Sequence, residues 1–360
     1  LNLVKTGDKD NDGNAWATIG GHDVLDAAEK HPLWQNRSAI QAQGRGVGLS
    51  LGGWPGAYEP SSSICMLQRN GQIQLQMALV DLNGTGTGFQ MLAAEILGVS
   101  PSQIEITAGD TRTSQYGAQT AGSQVTYSTG VAVLEAAREA RQQILAIASE
   151  QLEAAVEDLE IVKGQIQVRG FPDKGLSFAD IGSKTRGMGA PYGPVVAQGR
   201  SAQPINAPVF SAQLAEVEVD KETGQVQVHR LVLIQDVGRA LNPLTVTGQM
   251  HGGMTQGIGW ALYEQILYDE YGQPVTASWM DYTVPSSTQT AVVLETVMVE
   301  VPSDSGPLGA RGVGETPVVA TASAIANAIA DATGVRLSDL PMTAPRVLAA
   351  LISREATPVQ

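Results

Sequence analysis

Twice in this chain a strand passes through a glycine-rich loop into a helix, and that repeated passage limits the folds open to it more than any other feature. In the first half, QIQLQMALV (residues 72–80) alternates over Ile73, Leu75, Met77 and Leu79, the pattern of a half-buried strand. It runs through DLNGTGTG (81–88) into a helix over Phe89–Leu97, which Gly98 stops. In the second half, a strand over Val292–Val301 leads through SDSGPLGARGVGE (303–315) to a helix opened by Thr316-Pro317, with proline in the favoured first position.

Strands that feed loops and then helices predict an α+β protein of two similar lobes, each a mixed sheet with flanking helices. A length of 360 residues exceeds one hydrophobic core, so two packed units are expected. The expected division is an N-terminal arm over 1–42, a first lobe over 43–205 and a second lobe over 206–360. Within it, Val24–Lys30 reads as a short helix, and QGRGVGLSLGGWPGAY (43–58) as a buried strand with close backbone contacts. A long amphipathic helix is expected over 129–156, a hairpin turning at Lys163-Gly164, a short helix near Ser177–Ile181 and a connection over 187–208. Further strands are predicted over Phe210–Val219 and Val226–Ile234, near Gln265–Tyr268 and over Ala277–Tyr282, with a helix from Asn242 to Leu262.

Composition removes several classes of function. The net charge of −14 argues against nucleic acid and against an anionic membrane surface. No apolar run of about 18 residues exists, so no helix is expected to span a bilayer. One cysteine, Cys65, excludes an intrachain disulfide framework and a complete cysteine-ligated iron–sulfur cluster within this chain. The four histidines show no pair at i, i+3 or i+4, so no metal held by protein ligands is expected. Charged residues are 16% of the chain, against about 25% in a typical soluble domain, which suggests a surface covered by other protein. The chain begins at Leu1 without an initiator Met or a charged-then-apolar leader, as processing or cleavage would leave it, and a cytoplasmic location is the expectation.

Four segments are candidates for chemistry, and each admits two readings on its residues alone. In GARGVGETP (309–317), Glu315 is either an acid complementing the dipole of the following helix or a carboxylate presented into a cavity as a general base. In VDLNGTGTGF (80–89), the loop before the helix is either a tight turn or an anion site, because free N–H groups at a helix start attract negative charge. The segment GAQTAGSQVTYSTG (117–130) caps a long helix or rings a polar ligand with the hydroxyls of Thr120, Ser123 and Thr126. In GQMHGGMTQGIGWALYE (248–264), glycines inside an apolar helix imply close helix packing or a ligand pressed against it, with Gln249 and Gln256 as its polar groups.

In their order these segments resemble the second molybdopterin-binding portion of the xanthine oxidase/aldehyde oxidoreductase family. A strand, DxxGTGT and helix come first, then DTxT and TAGS (Asp110–Thr113 and Thr120–Ser123), then DVGRALNPLTVTGQMHGGMTQGIG (236–259). SWMDYTVP (278–285), GARGVGE and the closing DLPMTAPRVL (339–348) follow, so the resemblance covers the chain from about Gln43. It implies a molybdenum hydroxylase acting on an aldehyde or N-heterocycle with water as the oxygen source. Glu315 would be the general base at molybdenum, with Gly312, Val313 and Gly314 lining the cofactor. Asn83, Gly84, Thr85, Gly86 and Thr87 would hold the pterin and its phosphates, together with Thr120, Ala121, Gly122, Ser123, Gln249 and Gln256. The molybdenum would be held by the pterin dithiolene, in the cytosine dinucleotide form of the cofactor. Iron–sulfur centres and FAD would sit on partner chains: an N-terminal half of the molybdopterin subunit, an iron–sulfur subunit and a flavin subunit. At the position where the family often has a glutamine between glycines, this chain has Asn83-Gly84-Thr85-Gly86. A different class of function also fits the same fold, that of a non-catalytic assembly or cofactor-handling module.

Overall fold

The computed structural model describes residues 2–202 and 207–355. Three short helices open the chain, α1 (Gly21–Lys30), α2 (Pro32–Gln35) and α3 (Arg37–Gln41), followed by strands β1 (Arg45–Trp54), β2 (Ser61–Leu67) and β3 (Ile73–Met77). Next come α4 (Thr85–Leu97), β4 (Ile104–Ala108) and the long α5 (Val125–Leu152). A small sheet of β5 (Leu159–Val162), β6 (Gln165–Val168) and β7 (Phe171–Ser177) precedes α6 (Phe178–Thr185) and β8 (Val196–Ser201). The second half contains β9 (Val209–Val219), β10 (Val226–Asp236), α7 (Pro243–Leu262), β11 (Val293–Val299), α8 (Thr316–Val319), α9 (Thr321–Thr333) and α10 (Ala344–Glu355).

The two main sheets share one plan. In the first, ordered β4-β3-β2-β8, β2 and β3 are antiparallel neighbours, and α4 crosses over so that β4 lies parallel to β3. In the second, ordered β1-β9-β10-β11, β9 and β10 are antiparallel, and α7 crosses over so that β11 lies parallel to β10. Each outer edge is closed by an antiparallel strand, β8 on β2 and β1 on β9. The fold is α+β with mixed sheets and flanking helices, as the repeated strand–loop–helix passage predicts.

Alternation decides what each strand buries. Ile73, Leu75 and Met77 point into a core shared with Phe89 and Leu92 of α4 and Ala137 and Ile144 of α5. β9 is buried on both faces: Ala212 and Leu214 pack with Val24 and Ala28 of α1, whereas Ala215 and Val217 pack with Met250 of α7 and Ile325 of α9. The residues ahead of β1, read from the sequence as an arm, thus carry a helix that covers one face of the second sheet. β1, expected with the first lobe, is hydrogen-bonded along its length to β9 of the second. The expected boundary between 205 and 206 lies outside the described residues.

The close backbone contacts expected of the glycine-rich β1 are present. A Cβ on Gly48 would stand 2.1 Å from the carbonyl oxygen of Ala324 and 2.3 Å from the nitrogen of Ala328, so α9 lies directly on the strand backbone. Gly48→Ala is therefore expected to destabilise the chain by about 1–3 kcal/mol or more through overpacking. Denaturant unfolding checks this, and an unchanged midpoint would show that α9 moves aside freely.

Three strands escape the sequence reading. β2 presents Ser61 and Ser63 inward beside Cys65 and Leu67, and the polar residues at core positions mask its alternation. β8 lies within the expected connection, and β7 is mostly exposed. Conversely, no strands form over Gln265–Tyr268 or Ala277–Tyr282, where an isolated bridge between Tyr268 and Pro274 is the only pairing. Their apolar residues face outward, with Trp279 at 84% and Met280 at 92% exposure, so no core rewards pairing there. Among the described residues, no helix is long and apolar enough to cross a membrane.

Candidate cofactor site between the two lobes

The shared plan puts four loops at one place. The ends of β3 and β4 are in register at Met77 and Ala108, and those of β10 and β11 at Asp236 and Val299. The loops leaving these four carboxyl ends, two per lobe, together with the helix starts they feed, line a cleft of about 240 Å³. Open α/β sheets bind ligands outside the carboxyl ends of their strands for the same topological reason.

Sequence segments far apart supply the walls. Asn83, Gly84 and Thr85 come from the start of α4, and Thr120, Ala121 and Ser123 from the loop before α5. Gln249 comes from α7, and Gly312, Val313, Gly314 and Glu315 from the loop before α8. Among the expected site residues, Gly86, Thr87, Gly122 and Gln256 do not line the cleft. Gly86 is buried against Asp81, where a Cβ would lie 2.5 Å from Oδ2, and Thr87 and Gln256 are exposed on their helices. Gly122 turns its carbonyl the other way, accepting from the Ala57 N–H at 3.0 Å and from Trp54 Nε1 at 3.2 Å. The glycines of α7 at 253 and 257 serve helix packing: a Cβ there would stand 2.6 Å from Pro317 and 2.3 Å from Thr321.

Glu315 precedes α8, but its side chain makes no capping hydrogen bond. Its Oε2 instead accepts from the Ser123 hydroxyl at 3.2 Å, and its N–H donates to the same Ser123 Oγ at 2.9 Å. Asn83 behaves differently from a free ligand group. Its Oδ1 accepts from the Thr85 hydroxyl at 2.8 Å and from the Thr85 N–H at 3.3 Å, which fixes the turn into α4. Thr120 likewise gives its hydroxyl to the Val80 carbonyl at 3.2 Å.

The loop carrying Glu315 is anchored by an arginine at 2% exposure. Arg311 forms an ion pair with Asp236 at 3.4 Å and donates to the carbonyls of Val301, Pro208 and Thr18. Asp236 also accepts from the N–H groups of Gly20 at 3.0 Å and Gly238 at 2.9 Å. Burial pushes the Asp236 carboxyl above its ordinary value and the Arg311 guanidinium below its own, while their mutual attraction opposes both shifts. Gln235 adds a second tether, donating to the Val313 carbonyl at 3.2 Å.

Several lining residues were not singled out from the sequence. Arg239, Asn242 and Thr245 lie where β10 gives way to α7, and Gln124 follows Ser123. The signal for Arg239 was a cation one residue after the Gly238 turn that leaves a strand. Its guanidinium has no ion pair among the described residues, whereas Arg311 is neutralised by Asp236. Gln124 is 1% exposed and its Oε1 has no hydrogen-bond partner. Gly88 leaves its wall open, with no atom within 4 Å of an added Cβ. The cleft thus combines two helix starts, an unpaired cation and an unsatisfied amide, a set suited to an anionic ligand rich in polar edges.

Residues 26–291 match the family described as the molybdopterin cofactor-binding domain. The gamma subunit of the 6-hydroxypseudooxynicotine dehydrogenase complex of Paenarthrobacter nicotinovorans is 32% identical over 346 residues, 91% of this chain and 42% of that protein. The carbon monoxide dehydrogenase large chain of Hydrogenophaga pseudoflava is 33% identical over 270 residues, 73% of this chain and 33% of that one. The solved structure of quinoline 2-oxidoreductase from Pseudomonas putida 86 superposes with a TM-score of 0.84 at 25% identity, over 96% of this chain and 47% of that chain. The chain spans less than half the length of these relatives.

Proposed function

This chain belongs to the molybdopterin cofactor-binding family of the molybdenum hydroxylases, and we propose that the cleft between its lobes is where it holds that cofactor. The observation that carries the proposal is the convergence of four strand-end loops that bring Glu315, two helix starts and Arg239 into the lining of one cleft. The donor set fits the group. Phosphate oxygens suit the N–H groups at the starts of α4 and α7 and the Arg239 guanidinium, and the Gln124 amide offers an unsatisfied acceptor to a ring N–H. We assign the cytosine dinucleotide form, and substrates that are aldehydes or N-heterocycles.

When bound, the cofactor supplies two-electron redox chemistry at molybdenum with water as the source of oxygen. The chain supplies position and a base. Ser123 holds Oε2 of Glu315, and Oε1, left without a hydrogen bond among the described residues, takes the proton released as the substrate is hydroxylated. Gly312 lets its loop lie backbone to backbone against Ser123, and the Arg311–Asp236 pair holds that loop in place. Iron–sulfur and FAD centres on partner chains would carry the electrons away, in a cytoplasmic assembly completed by an N-terminal molybdopterin-binding half. The test is molybdenum content by elemental mass spectrometry on the chain with its co-purifying partners. The expected result is one molybdenum per chain, whereas an intact, partnered complex without the metal would favour a non-catalytic assembly module.

A further inference from the structure

We propose that Ser123 is a positioning residue for Glu315, its hydroxyl committed to the carboxylate rather than to the cofactor. This rests on the reading of Glu315 as the proton-accepting base. A serine hydroxyl has one proton to donate, and here it points to Glu315 Oε2 at 3.2 Å. The same oxygen accepts the Glu315 backbone N–H at 2.9 Å, so one hydroxyl fixes both the main chain and the side chain of a residue 192 positions away. The carboxylate is thereby held away from the start of α8, which it would otherwise be placed to cap.

The backbone around Ser123 shows that this contact is enforced. Ser123 has φ +59°, the left-handed region that glycine occupies without strain and serine does not. A serine kept there implies a demand for its hydroxyl, since strained backbone persists where the surroundings over-determine it. Gly122 on one side is clamped by Ala57 and Trp54 of the adjoining segment. On the other side, a Cβ on Gly312 would stand 1.7 Å from the Ser123 carbonyl oxygen, so the two loops meet backbone to backbone. The Ser123 backbone is thus packed against the Glu315 loop, with its hydroxyl on the Glu315 carboxylate.

The experiment compares Ser123→Gly and Ser123→Thr in the complex as isolated with its partners. Glycine removes the hydroxyl and suits the backbone; threonine keeps the hydroxyl but strains the backbone further. We expect Ser123→Gly to lower kcat on the order of 10- to 100-fold through loss of alignment, with KM, molybdenum per chain and Tm unchanged. Ser123→Thr is expected to keep kcat within about threefold while its Tm falls, because alignment survives and backbone strain grows. A purely structural role would make activity follow Tm, the reverse order. Wild-type kcat in Ser123→Gly, or molybdenum lost in step with activity, overturns the proposal. Full activity in a separate Glu315→Gln variant instead overturns the reading of the base, and metal retention by Ser123→Gly still decides whether the hydroxyl serves the cofactor.

Discussion

Glu315→Gln is expected to lower turnover by about 100- to 10,000-fold, the range of a lost general base, while the assembled complex keeps its molybdenum. The replacement is isosteric, and its amide oxygen still accepts the Ser123 hydroxyl that now meets Oε2 at 3.2 Å. The backbone bond from Glu315 N–H to Ser123 Oγ at 2.9 Å is untouched, so the loop keeps its course. What disappears is the ability to accept a proton at Oε1. Steady-state kinetics alongside elemental analysis check the two halves of this statement separately. Wild-type turnover would remove Glu315 from the role of base; loss of both metal and turnover would make it a cofactor-holding residue instead.

The second large effect concerns the post on which that loop stands. Asp236→Ala is expected to cost about 3–5 kcal/mol, because it strands the Arg311 guanidinium in an interior without a compensating charge. Both side chains of the pair are fully buried, and Asp236 also accepts the N–H groups of Gly20 and Gly238. Arg311→Met alone leaves the opposite defect, an unpaired buried carboxylate. The double variant Asp236→Ala, Arg311→Met is expected to be less destabilised than the sum of the single variants, since neither charge is then orphaned. Denaturant unfolding of the four proteins closes the cycle. Strict additivity would show that the pair contributes nothing beyond its separate hydrogen bonds. Because Arg311 stands one residue from Gly312 on the cleft, cofactor retention should fall with stability in both single variants.

Much of the local structure was legible in the sequence, and for local reasons. The alternation of Ile73, Leu75 and Met77 and the glycines after them announce a strand that enters a loop and a helix, and β3 and α4 follow. The hairpin turn at Lys163-Gly164 forms with both residues at positive φ. The order of motifs points to the family and assigns Glu315, Ser123, Gln249 and Gly312 to one site, and all four line the cleft. These signals depend on neighbours a few residues apart, where periodicity and turn chemistry act directly.

What only the tertiary structure decided are the pairings across long separations. The sequence does not state that β1 joins the second sheet, nor that two sheets of one plan bring four loops to a common cleft. Nor does it separate the glycines of α7 that seat α8 and α9 from residues lining the cleft, or Arg239, without an ion pair among the described residues, from Arg311, which is spent on Asp236. Each outcome depends on which chain segment arrives opposite, and that is set by the docking of whole elements. The motif therefore singles out Glu315 as the proposed base, while the fold supplies its setting: a serine 192 residues earlier that donates to its carboxylate and a buried ion pair on the same loop.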